Sequence, residues 1–373
     1  MRVLICPDKF KNSLTAAQVC DAIAQGVKLK NKDFEIVKLP LADGGEGTAE
    51  ILTALTDGRF ITIQAHDPLF RIVDASYGIS GDGSRAFIEM SSASGLKLLK
   101  QHEYNPLKTT TFGTGELIKH ALEHGVTSII LGIGGSATND GGVGAAAALG
   151  YKFLDEKGAD LQPIGENLSR IKKIQFDHVI SSLSKAKFQA MCDVKNPLSG
   201  SNGASVVFGP QKGATPQQVT FLDQGLLNLG NIIQKDIGRS VTNVPGAGAG
   251  GGIGGGAIAF FNAELISGIE LVMEMTRFEE EVMQSDLIIT GEGKMDSQTL
   301  QGKVVAGVAA IASKHNKRLM AVAGRNELDK SQQQALRAEK IFALTDFESE
   351  SVALSDAFRL LSEVTATHII PVI

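Results

Sequence analysis

Five polar segments containing glycine or lysine each follow directly after a short apolar run that is predicted to be a β-strand. In chain order they are DKFKNS (8–13), LADGGEGT (41–48), GIGGSATNDGG (132–142), CDVKNPL (192–198) and GEGKMDSQTLQGK (291–303). Strands that alternate with loops and helices are typical of a parallel sheet with both faces covered. In such sheets ligands bind beyond the carboxyl ends of the strands. We therefore expect the five segments to form the walls of one binding cleft.

The two ends of the chain share one pattern and the middle has another. Residues 1–58 and the last third alternate strand and helix patterns, whereas residues 59–90 carry short alternating runs typical of antiparallel strands. The strands predicted at the two ends are Val3–Cys6, Phe34–Leu39, Leu287–Thr290, Leu319–Ala323 and Ile341–Leu344. We predict an α/β fold with a Rossmann-like parallel-sheet domain from residues 1–58 and 285–373. A mixed α/β domain, residues 59–284, is inserted into it.

Charge and cysteine content limit the class of partner. The chain of 373 residues has a net charge of −5, which gives no reason to expect a nucleic acid or an anionic membrane as partner. Three cysteines without CxxC spacing favour a reducing compartment, and the apolar run VLIC near the N-terminus is too short for a signal peptide. We expect a cytoplasmic protein that acts on small molecules.

One glycine motif supports an oxidoreductase as the alternative function. GIGGSA (132–137) matches G-x-G-x-x-G/A, is predicted to follow a strand and open a helix, and has Asp155 23 residues beyond Gly132. These features are typical of a dinucleotide-binding loop and would indicate an NAD(P)-dependent oxidoreductase. A non-catalytic protein that binds small anions would also use glycine loops, but it has little need for so many carboxylates at strand ends.

Phosphoryl transfer explains more of the strand-end residues. It requires cations and backbone donors around phosphate, carboxylates for Mg²⁺, and a group that orients or deprotonates the accepting hydroxyl. The candidate cations are Lys9, Lys11, Lys212, Lys294 and Lys303. The candidate carboxylates are Asp8, Asp43, Glu46, Asp193, Glu292 and Asp296. Neither Gly-Lys pair (293–294, 302–303) is followed by Ser or Thr, and no H-R-D or D-F-G set occurs, which excludes P-loop enzymes and protein kinases.

Five long motifs together resemble those of the bacterial type-1 glycerate kinase family. They are PDKFKNSLTA, PLADGGEGT, GIGGSATNDGGVGAAAALG, CDVKNPLSGSNGASVVFGPQKGA and DLIITGEGKMDSQTLQGK, and the resemblance runs from the first strand to the last helix. It implies transfer of the ATP γ-phosphoryl group to a hydroxyl of D-glycerate, with Mg²⁺, in a two-domain α/β protein whose active site lies in the interdomain cleft. The family mostly makes 2-phosphoglycerate, so we favour this product over 3-phosphoglycerate. Whether identical subunits assemble is left open.

Three positions depart from the family pattern. Lys9 stands where many members carry Ser, and Asn12 stands where they carry Gly. Lys11 matches the motif, so we favour Lys11 over Lys9 as the functional cation. Lys294 stands where Arg is common, and lysine lacks the bidentate fork of arginine. A fixed clamp on a carboxylate or phosphate is therefore less expected at position 294.

The predicted catalytic residues are Asp193 as base, Asp43 as the second candidate for the base, and Lys11. Lys11 would hold phosphate or the glycerate carboxylate, and Asp8 beside it would bind metal or fix Lys11. The predicted substrate- and phosphate-binding residues are Asp8, Gly134, Gly135, Ser136, Thr138, Asn139, Asn196, Lys212 and Lys303. The predicted metal ligands are Glu292, Asp296 and Glu46.

Three predicted residues and one segment keep more than one interpretation each. Lys212 and Lys303 either neutralise phosphate or are ordinary surface lysines. Asp140 either belongs to the phosphate loop or caps the helix that follows. The glycine tract 246–256 provides close backbone packing, a flexible connection between domains, or a phosphate loop.

Overall fold

The computed structural model describes residues 1–300 and 303–370. Its strands are β1 (Arg2–Ile5), β2 (Glu35–Lys38), β3 (Arg59–His66), β4 (Ile72–Ile79), β5 (Arg85–Glu89), β6 (Ser128–Gly132), β7 (Lys152–Leu154), β8 (Lys173–Gln175), β9 (Lys187–Met191), β10 (Glu264–Ile266), β11 (Leu287–Met295), β12 (Arg318–Asn326) and β13 (Lys340–Ala343). Its α-helices are α1 (Ala16–Lys30), α2 (Thr48–Leu55), α3 (Ser91–Ser94), α4 (Phe112–Glu123), α5 (Val143–Ala148), α6 (Ala204–Phe208), α7 (Pro216–Asp236), α8 (Ile253–Phe261), α9 (Gly268–Met275), α10 (Phe278–Gln284), α11 (Val304–Lys314), α12 (Lys330–Ala335), α13 (Glu350–Ser355) and α14 (Ala357–Val364). The chain divides into two compact units, Met1–Asp43 with Ile269–Ile373, and Gly44–Gly268.

The first unit contains a parallel sheet built from both ends of the chain, as predicted. Its strand order is β13-β12-β11-β1-β2, and every neighbouring pair is parallel. Apolar side chains of β1, β11 and β12 form its core together with α1 and α14. From β1 the chain continues to β2 on one side of the sheet, whereas from β11 it continues to β12 and β13 on the other side, so the strand order reverses between β1 and β11. Ligands of such sheets bind at this switch point, beyond the carboxyl ends of the strands.

Helix α1 shows how the sequence specifies an element of this unit. Thr15 accepts a hydrogen bond from the backbone N–H of Gln18, and the Gln18 side chain accepts one from Thr15 N–H. This reciprocal cap satisfies two donors at the helix start, so Thr15 is the capping residue. The buried face of the helix includes Val19, Ile23 and Val27, which pack into the core.

The second unit contains a mixed sheet with the order β10-β9-β6-β5-β4-β3. Strands β3, β4 and β5 pair antiparallel, as their alternating runs predict, while β5, β6, β9 and β10 pair parallel. Helices α4, α5 and α8 contribute apolar side chains to its core. The four parallel strands therefore place their carboxyl ends at one edge of the sheet.

Two features of the fold differ from the sequence prediction. Strand β11 continues through the GEGKM motif because it pairs with β12 as far as Met295 and Asn326. Glu292 and Lys294 therefore lie on a strand and not in a loop. The units divide at 43/44 and 268/269, whereas the sequence suggested 58/59 and 284/285. Helix α2 belongs to the second unit because it packs on β4 and β5. Helix α10 belongs to the first unit because it packs on β1 and α11. Gln301 and Gly302 of the last motif lie outside the described residues.

No helix in the described part of the chain is long and apolar enough to cross a membrane.

The glycine tract 246–256 packs closely against the 132–142 loop. The Gly141 N–H donates to the Gly251 carbonyl at 3.1 Å. A β-carbon at Gly251 would lie 1.9 Å from the Thr138 carbonyl oxygen, and one at Gly256 would lie 2.4 Å from the Gly141 carbonyl oxygen. Only glycine allows two backbones to approach this closely. These contacts favour the close-packing interpretation of the tract.

Gly251→Ala should lower the free energy of unfolding by about 3 kcal/mol or more, because the added methyl group overlaps the Thr138 carbonyl. Gly158→Ala is the matched control. Gly158 has the same φ of +79° but open space around it, so we expect only the left-handed strain of about 1 kcal/mol. Urea unfolding followed by circular dichroism measures both. Equal losses in the two variants would show that the contact with Thr138 is not what requires glycine.

Candidate active site

Asp8 and Asp43 of the first unit follow β1 and β2, and both lie near Glu292 of β11. The Asp8 N–H donates to the Gly291 carbonyl at 2.8 Å, and the Leu41 N–H donates to the Pro7 carbonyl at 3.0 Å. These bonds continue the strand pairing beyond β1 and bring Asp8 close enough to Asp43 and Glu292 for their charges to interact. The cluster thus lies at the topological switch point of the parallel sheet.

Two carboxyl groups of the cluster lose their protons less readily than they would in water. Burial, reinforced by the negative charge of Asp43, raises the pKa of Asp8 to about 7. Burial also raises the pKa of Glu292 to about 7, although Thr299 and Lys303 act in the opposite direction. Within the described residues, Glu292 Oε1 is buried and accepts no hydrogen bond. Because a buried carboxylate oxygen without a hydrogen-bond partner is unfavourable, the free Oε1 of Glu292 fits a site that receives a cation.

The other predicted metal ligands are already engaged with lysines. Asp296 accepts a hydrogen bond from the Gln298 N–H at 2.9 Å and lies 3.4 Å from Lys294 Nζ. Glu46 is exposed in the second unit and pairs with Lys97 at 2.7 Å. In residues 1–300 and 303–370, no group of three His, Cys, Asp or Glu side chains forms a ready metal site. A partial set suits Mg²⁺, which usually takes one or two carboxylates plus phosphate oxygens and waters.

Two predicted lysines of the first unit have different surroundings. Lys11 is exposed in the turn between Phe10 and Leu14. Asp8 Oδ1 accepts a hydrogen bond from the Lys9 N–H at 2.7 Å, and the charge of Lys9 lowers the pKa of Asp8 against the larger effect of burial. Lys303 donates to Gln298 Oε1 at 3.3 Å, and its charge lowers the pKa of Glu292. Lys303 therefore lies beside the carboxylates.

In the second unit, the 132–142 loop follows β6 and presents backbone to solvent at its centre. Gly134 and Gly135 are exposed, and Gly135 has a φ of +71°. Ser136 is nearly buried, whereas Thr138 and Asn139 have no exposed surface. Exposed glycines let backbone N–H groups approach an anion. Thr138 and Asn139, by contrast, support the loop from within the unit.

Asp140 anchors this loop. Its Oδ2 accepts from the backbone N–H and the hydroxyl of Thr111, each at 2.8 Å, and from the Gly144 N–H at 3.2 Å. Its Oδ1 accepts from the Gly142 N–H at 3.2 Å. The carboxylate thus satisfies donors at the start of α5, which favours the capping interpretation.

Lys212 is buried beneath the same loop. Its Nζ donates to Ser136 Oγ at 2.7 Å and to the Thr138 carbonyl at 2.6 Å, and the residue is only 2% exposed. Burial lowers its pKa to about 7, and the nearby charge of Asp140 acts in the opposite direction. The alternative that Lys212 is an ordinary surface lysine is therefore wrong. A buried ammonium under a glycine loop is suited to an anionic ligand.

Asp193 stands at the same edge of the sheet, after β9. It is exposed, and its Oδ1 accepts from Ser267 Oγ at 3.2 Å and from the Gly268 N–H at 3.1 Å. Asn196 has a local role, because its Nδ2 donates to the carbonyl of Asn202 at 2.8 Å. The structure therefore positions the Asp193 carboxylate, while the Asn196 side chain shapes the loop that carries it.

Glu89, at the end of β5, was missed by the sequence analysis. Its Oε1 accepts from the backbone N–H groups of Gly47 and Ala49 at 2.8 and 3.0 Å, which holds the start of α2. It lines a cavity of about 400 Å³ together with Ser91 and Lys97. The signal was present, since polar residues follow the apolar run of β5. That run was interpreted only as part of an antiparallel pair, although β5 is also parallel to β6.

The dinucleotide alternative fails on geometry. The glycine loop continues to Gly142 before α5 begins, so GIGGSA does not open a helix directly. Asp155 follows β7, which pairs with β8 in a separate two-stranded sheet. The neighbours of β6 are β5 and β9. The acid of a dinucleotide site must lie at the end of a strand in the same sheet, and Asp155 does not.

Known proteins resemble this chain along most of its length. A sequence model described as "Glycerate kinase family" matches residues 3–372. The chain is 46% identical over 324 residues to a glycerate kinase of Halalkalibacterium halodurans, covering 86% of this chain and 85% of that protein. It is 47% identical over 324 residues to the glycerate 2-kinase of Escherichia coli K12, covering 87% and 85%. A crystal structure of a candidate glycerate kinase 2 from Salmonella typhimurium LT2 matches with a TM-score of 0.88 and 41% identity, covering 100% of this chain and 98% of that one.

Proposed function

Because the chain belongs to the glycerate kinase family, whose members are ATP-dependent phosphotransferases, we propose that it phosphorylates the 2-hydroxyl of D-glycerate. The relative named glycerate 2-kinase supports this hydroxyl over the 3-hydroxyl. The observation that carries the chemistry is the partnerless Glu292 oxygen beside Asp8 and Asp43. Several carboxylates at the topological switch point of the sheet are suited to bind the cation that accompanies ATP.

Glu292 and Asp8 would hold Mg²⁺ in this proposal, and the ion would neutralise charge on the phosphates of ATP. Both carboxyls have raised pKa values because they are buried near other acids. Lys303, next to Glu292, would add positive charge toward the same phosphates. Asp296 and Glu46 are weaker candidates, since each already pairs with a lysine.

Lys212 and the exposed glycines of the 132–142 loop would bind an anionic part of the substrates. Gly134 and Gly135 can offer backbone N–H groups, and Lys212 supplies a cation whose electrostatic effect is strong because it is shielded from water. Such groups stabilise the charge that spreads over the transferred phosphoryl oxygens. That the residues of both units serve one reaction stays a prediction.

Asp193 is the proposed base, with Asp43 as the second candidate. In the proposed step the carboxylate accepts the proton of the glycerate hydroxyl as its oxygen bonds to the γ-phosphorus. The bond from that phosphorus to the bridging oxygen breaks, and ADP leaves. Two hydrogen bonds to Oδ1 of Asp193 fix the direction of the carboxylate, as a base requires.

Asp193→Asn should reduce kcat by about 10²-fold with little change in stability, because Asn can still accept the bonds from Ser267 and Gly268. Steady-state kinetics at several Mg²⁺ concentrations provide the measurement, with Asp43→Asn assayed in parallel. If Asp193→Asn changes only the Mg²⁺ dependence, Asp193 binds the metal and is not the base.

Lys11→Ala should raise the KM for ATP or glycerate by about tenfold, which corresponds to the loss of one charge-assisted contact. Lys28→Ala removes an exposed lysine from α1 and serves as the control. Initial rates over a matrix of both substrates separate the two KM values. Unchanged kinetics in Lys11→Ala would assign this lysine to the solvated surface.

The reaction itself is tested by coupled ADP release with Mg·ATP and D-glycerate, followed by ³¹P NMR of the product. A 2-phosphoglycerate signal is expected, and a 3-phosphoglycerate signal would overturn the proposed regiochemistry. We further propose that the protein works in the cytoplasm without nucleic acid or membrane partners.

A further inference from the structure

A second cavity of the Gly44–Gly268 unit lies at the opposite edge of its sheet. Its volume is about 440 Å³, and its walls include Phe176, Ala186, Phe261 and Asn262. Ala186 immediately precedes β9, and Asn262 lies shortly before β10. The cavity therefore opens at the amino ends of these strands, whereas Asp193 and Ser267 follow their carboxyl ends. A five-residue strand spans about 15 Å, so this cavity is separate from the candidate active site.

Three aromatic rings form the apolar wall of the cavity. The Tyr151 and Phe260 ring centroids are 5.2 Å apart, and those of Tyr151 and Phe176 are 6.4 Å apart. Phe176 is 49% exposed, so one ring of this wall is accessible from solvent. Aromatic and aliphatic walls with a few polar groups are typical of small-molecule sites of this volume.

Arg239 gives the cavity a positive charge. Its guanidinium is half-buried and donates from Nη1 to the Ile258 carbonyl. Within the described residues no carboxylate oxygen lies within 4 Å of it. Asp236 also lines the cavity, but its Oδ2 accepts from the Ile174 N–H at 2.8 Å and its Oδ1 lies 4.0 Å from Lys235 Nζ. A half-buried guanidinium without a counterion is suited to a carboxylate or another planar anion.

We propose that this cavity binds a small organic acid whose flat apolar body lies against Tyr151, Phe176 and Phe260 and whose carboxylate meets Arg239. The aromatic wall favours a planar conjugated or aromatic body over a polar one. D-glycerate is small and polar throughout, so it does not match this site. The positive charge of Arg239 selects the acid over its neutral analogue.

The test uses 2-naphthoate as the probe and 2-naphthamide as its uncharged counterpart, with binding measured by calorimetry and ligand-observed NMR. The wild-type protein should bind 2-naphthoate at least tenfold more tightly than 2-naphthamide. Arg239→Gln should remove that preference and Arg239→Lys should keep part of it. Arg59→Gln, which changes an exposed arginine of β3 outside the cavity, should keep it fully.

Two further variants locate the probe. Phe176→Ala should weaken both compounds, and Asp236→Asn should tighten 2-naphthoate about threefold by removing a like charge. Saturating Mg·ATP and D-glycerate should leave binding unchanged. Displacement by those substrates, equal affinity for the two compounds, no binding at millimolar concentration, or equal effects of Arg239→Gln and Arg59→Gln would each overturn the proposal.

Discussion

Replacing Glu292 with glutamine is expected to lower kcat by about 10³-fold and to stabilise the protein at alkaline pH in the absence of divalent cations. Removal of one group that organises charge around a transition state costs about 10²–10³-fold in rate. Glu292 would do this through the cation that arrives with ATP, and its buried Oε1 has no other hydrogen-bond partner in the described chain. Glutamine keeps the shape of the side chain and removes the negative charge.

The stability change has a definite pH dependence. Burial raises the pKa of Glu292 from its ordinary value of 4.5 to about 7, so between these values the folded chain keeps a proton that the unfolded chain has lost. The free energy of unfolding of the wild type therefore falls as pH rises through this range. Glutamine does not ionise, so the Glu292→Gln variant does not lose stability in this way. The free energy of unfolding of Glu292→Gln should therefore exceed that of the wild type only slightly near pH 4 and by its full amount at pH 8.

Urea unfolding in EDTA from pH 4.5 to 8 measures this advantage, and steady-state kinetics with Mg·ATP give the rate. Glu339→Gln is the control, because Glu339 belongs to the same unit but forms a surface pair with Arg318. If Glu292→Gln retains wild-type kcat, the carboxylate cluster is not part of the catalytic machinery. If the advantage does not grow with pH, Glu292 is already charged and compensated in the folded protein.

The sequence was sufficient for the topology because local patterns and loop positions agree. The strand and helix patterns of the two chain ends form the parallel sheet, and the alternation of residues 59–90 becomes the antiparallel part of the second sheet. The boundaries of β11 could not be read in the same way. Its extension to Met295 depends on pairing with β12, a contact between residues about 30 positions apart that periodicity does not report.

The candidate site was predictable as a set of strand ends, but not residue by residue. Lys212 lies far along the chain from Ser136 and Thr138, and only the tertiary fold buries its ammonium beneath their loop. Glu89 was missed because one strand can pair antiparallel on one side and parallel on the other. Burial and mixed strand pairing are properties of the assembled sheet, so motif spacing can place the loops after strands but cannot report which of their side chains are buried.

Lys212→Met should abolish most activity while making the protein more stable, with kcat/KM reduced by about 10³-fold. Methionine fills a similar volume without a charge. The wild type buries an ammonium group whose contacts are a hydroxyl and a carbonyl, and burial lowers its pKa from 10.5 to about 7. A residue retained at a cost in stability is expected where function requires it.

The pH dependence of this stabilisation runs opposite to that of Glu292→Gln. Below pH 7 both folded and unfolded lysine are protonated, so the folded wild type carries the full penalty of the buried charge. Between pH 7 and 10.5 Lys212 carries a proton in the unfolded chain that it has lost in the folded chain. Rising pH therefore increases the free energy of unfolding of the wild type. The advantage of Lys212→Met should be largest near pH 6 and should shrink toward pH 10.

Urea unfolding across that range and kinetics at pH 7.5 provide the measurements, with Lys157→Met as the control for an exposed lysine of the same unit. A variant that loses both activity and stability would show that Lys212 is a structural support for the 132–142 loop. Lost activity with gained stability would instead mean that the fold tolerates this buried cation for the sake of an anionic ligand. Together with Glu292→Gln, it would show that each unit keeps a buried ionisable group at a cost in stability.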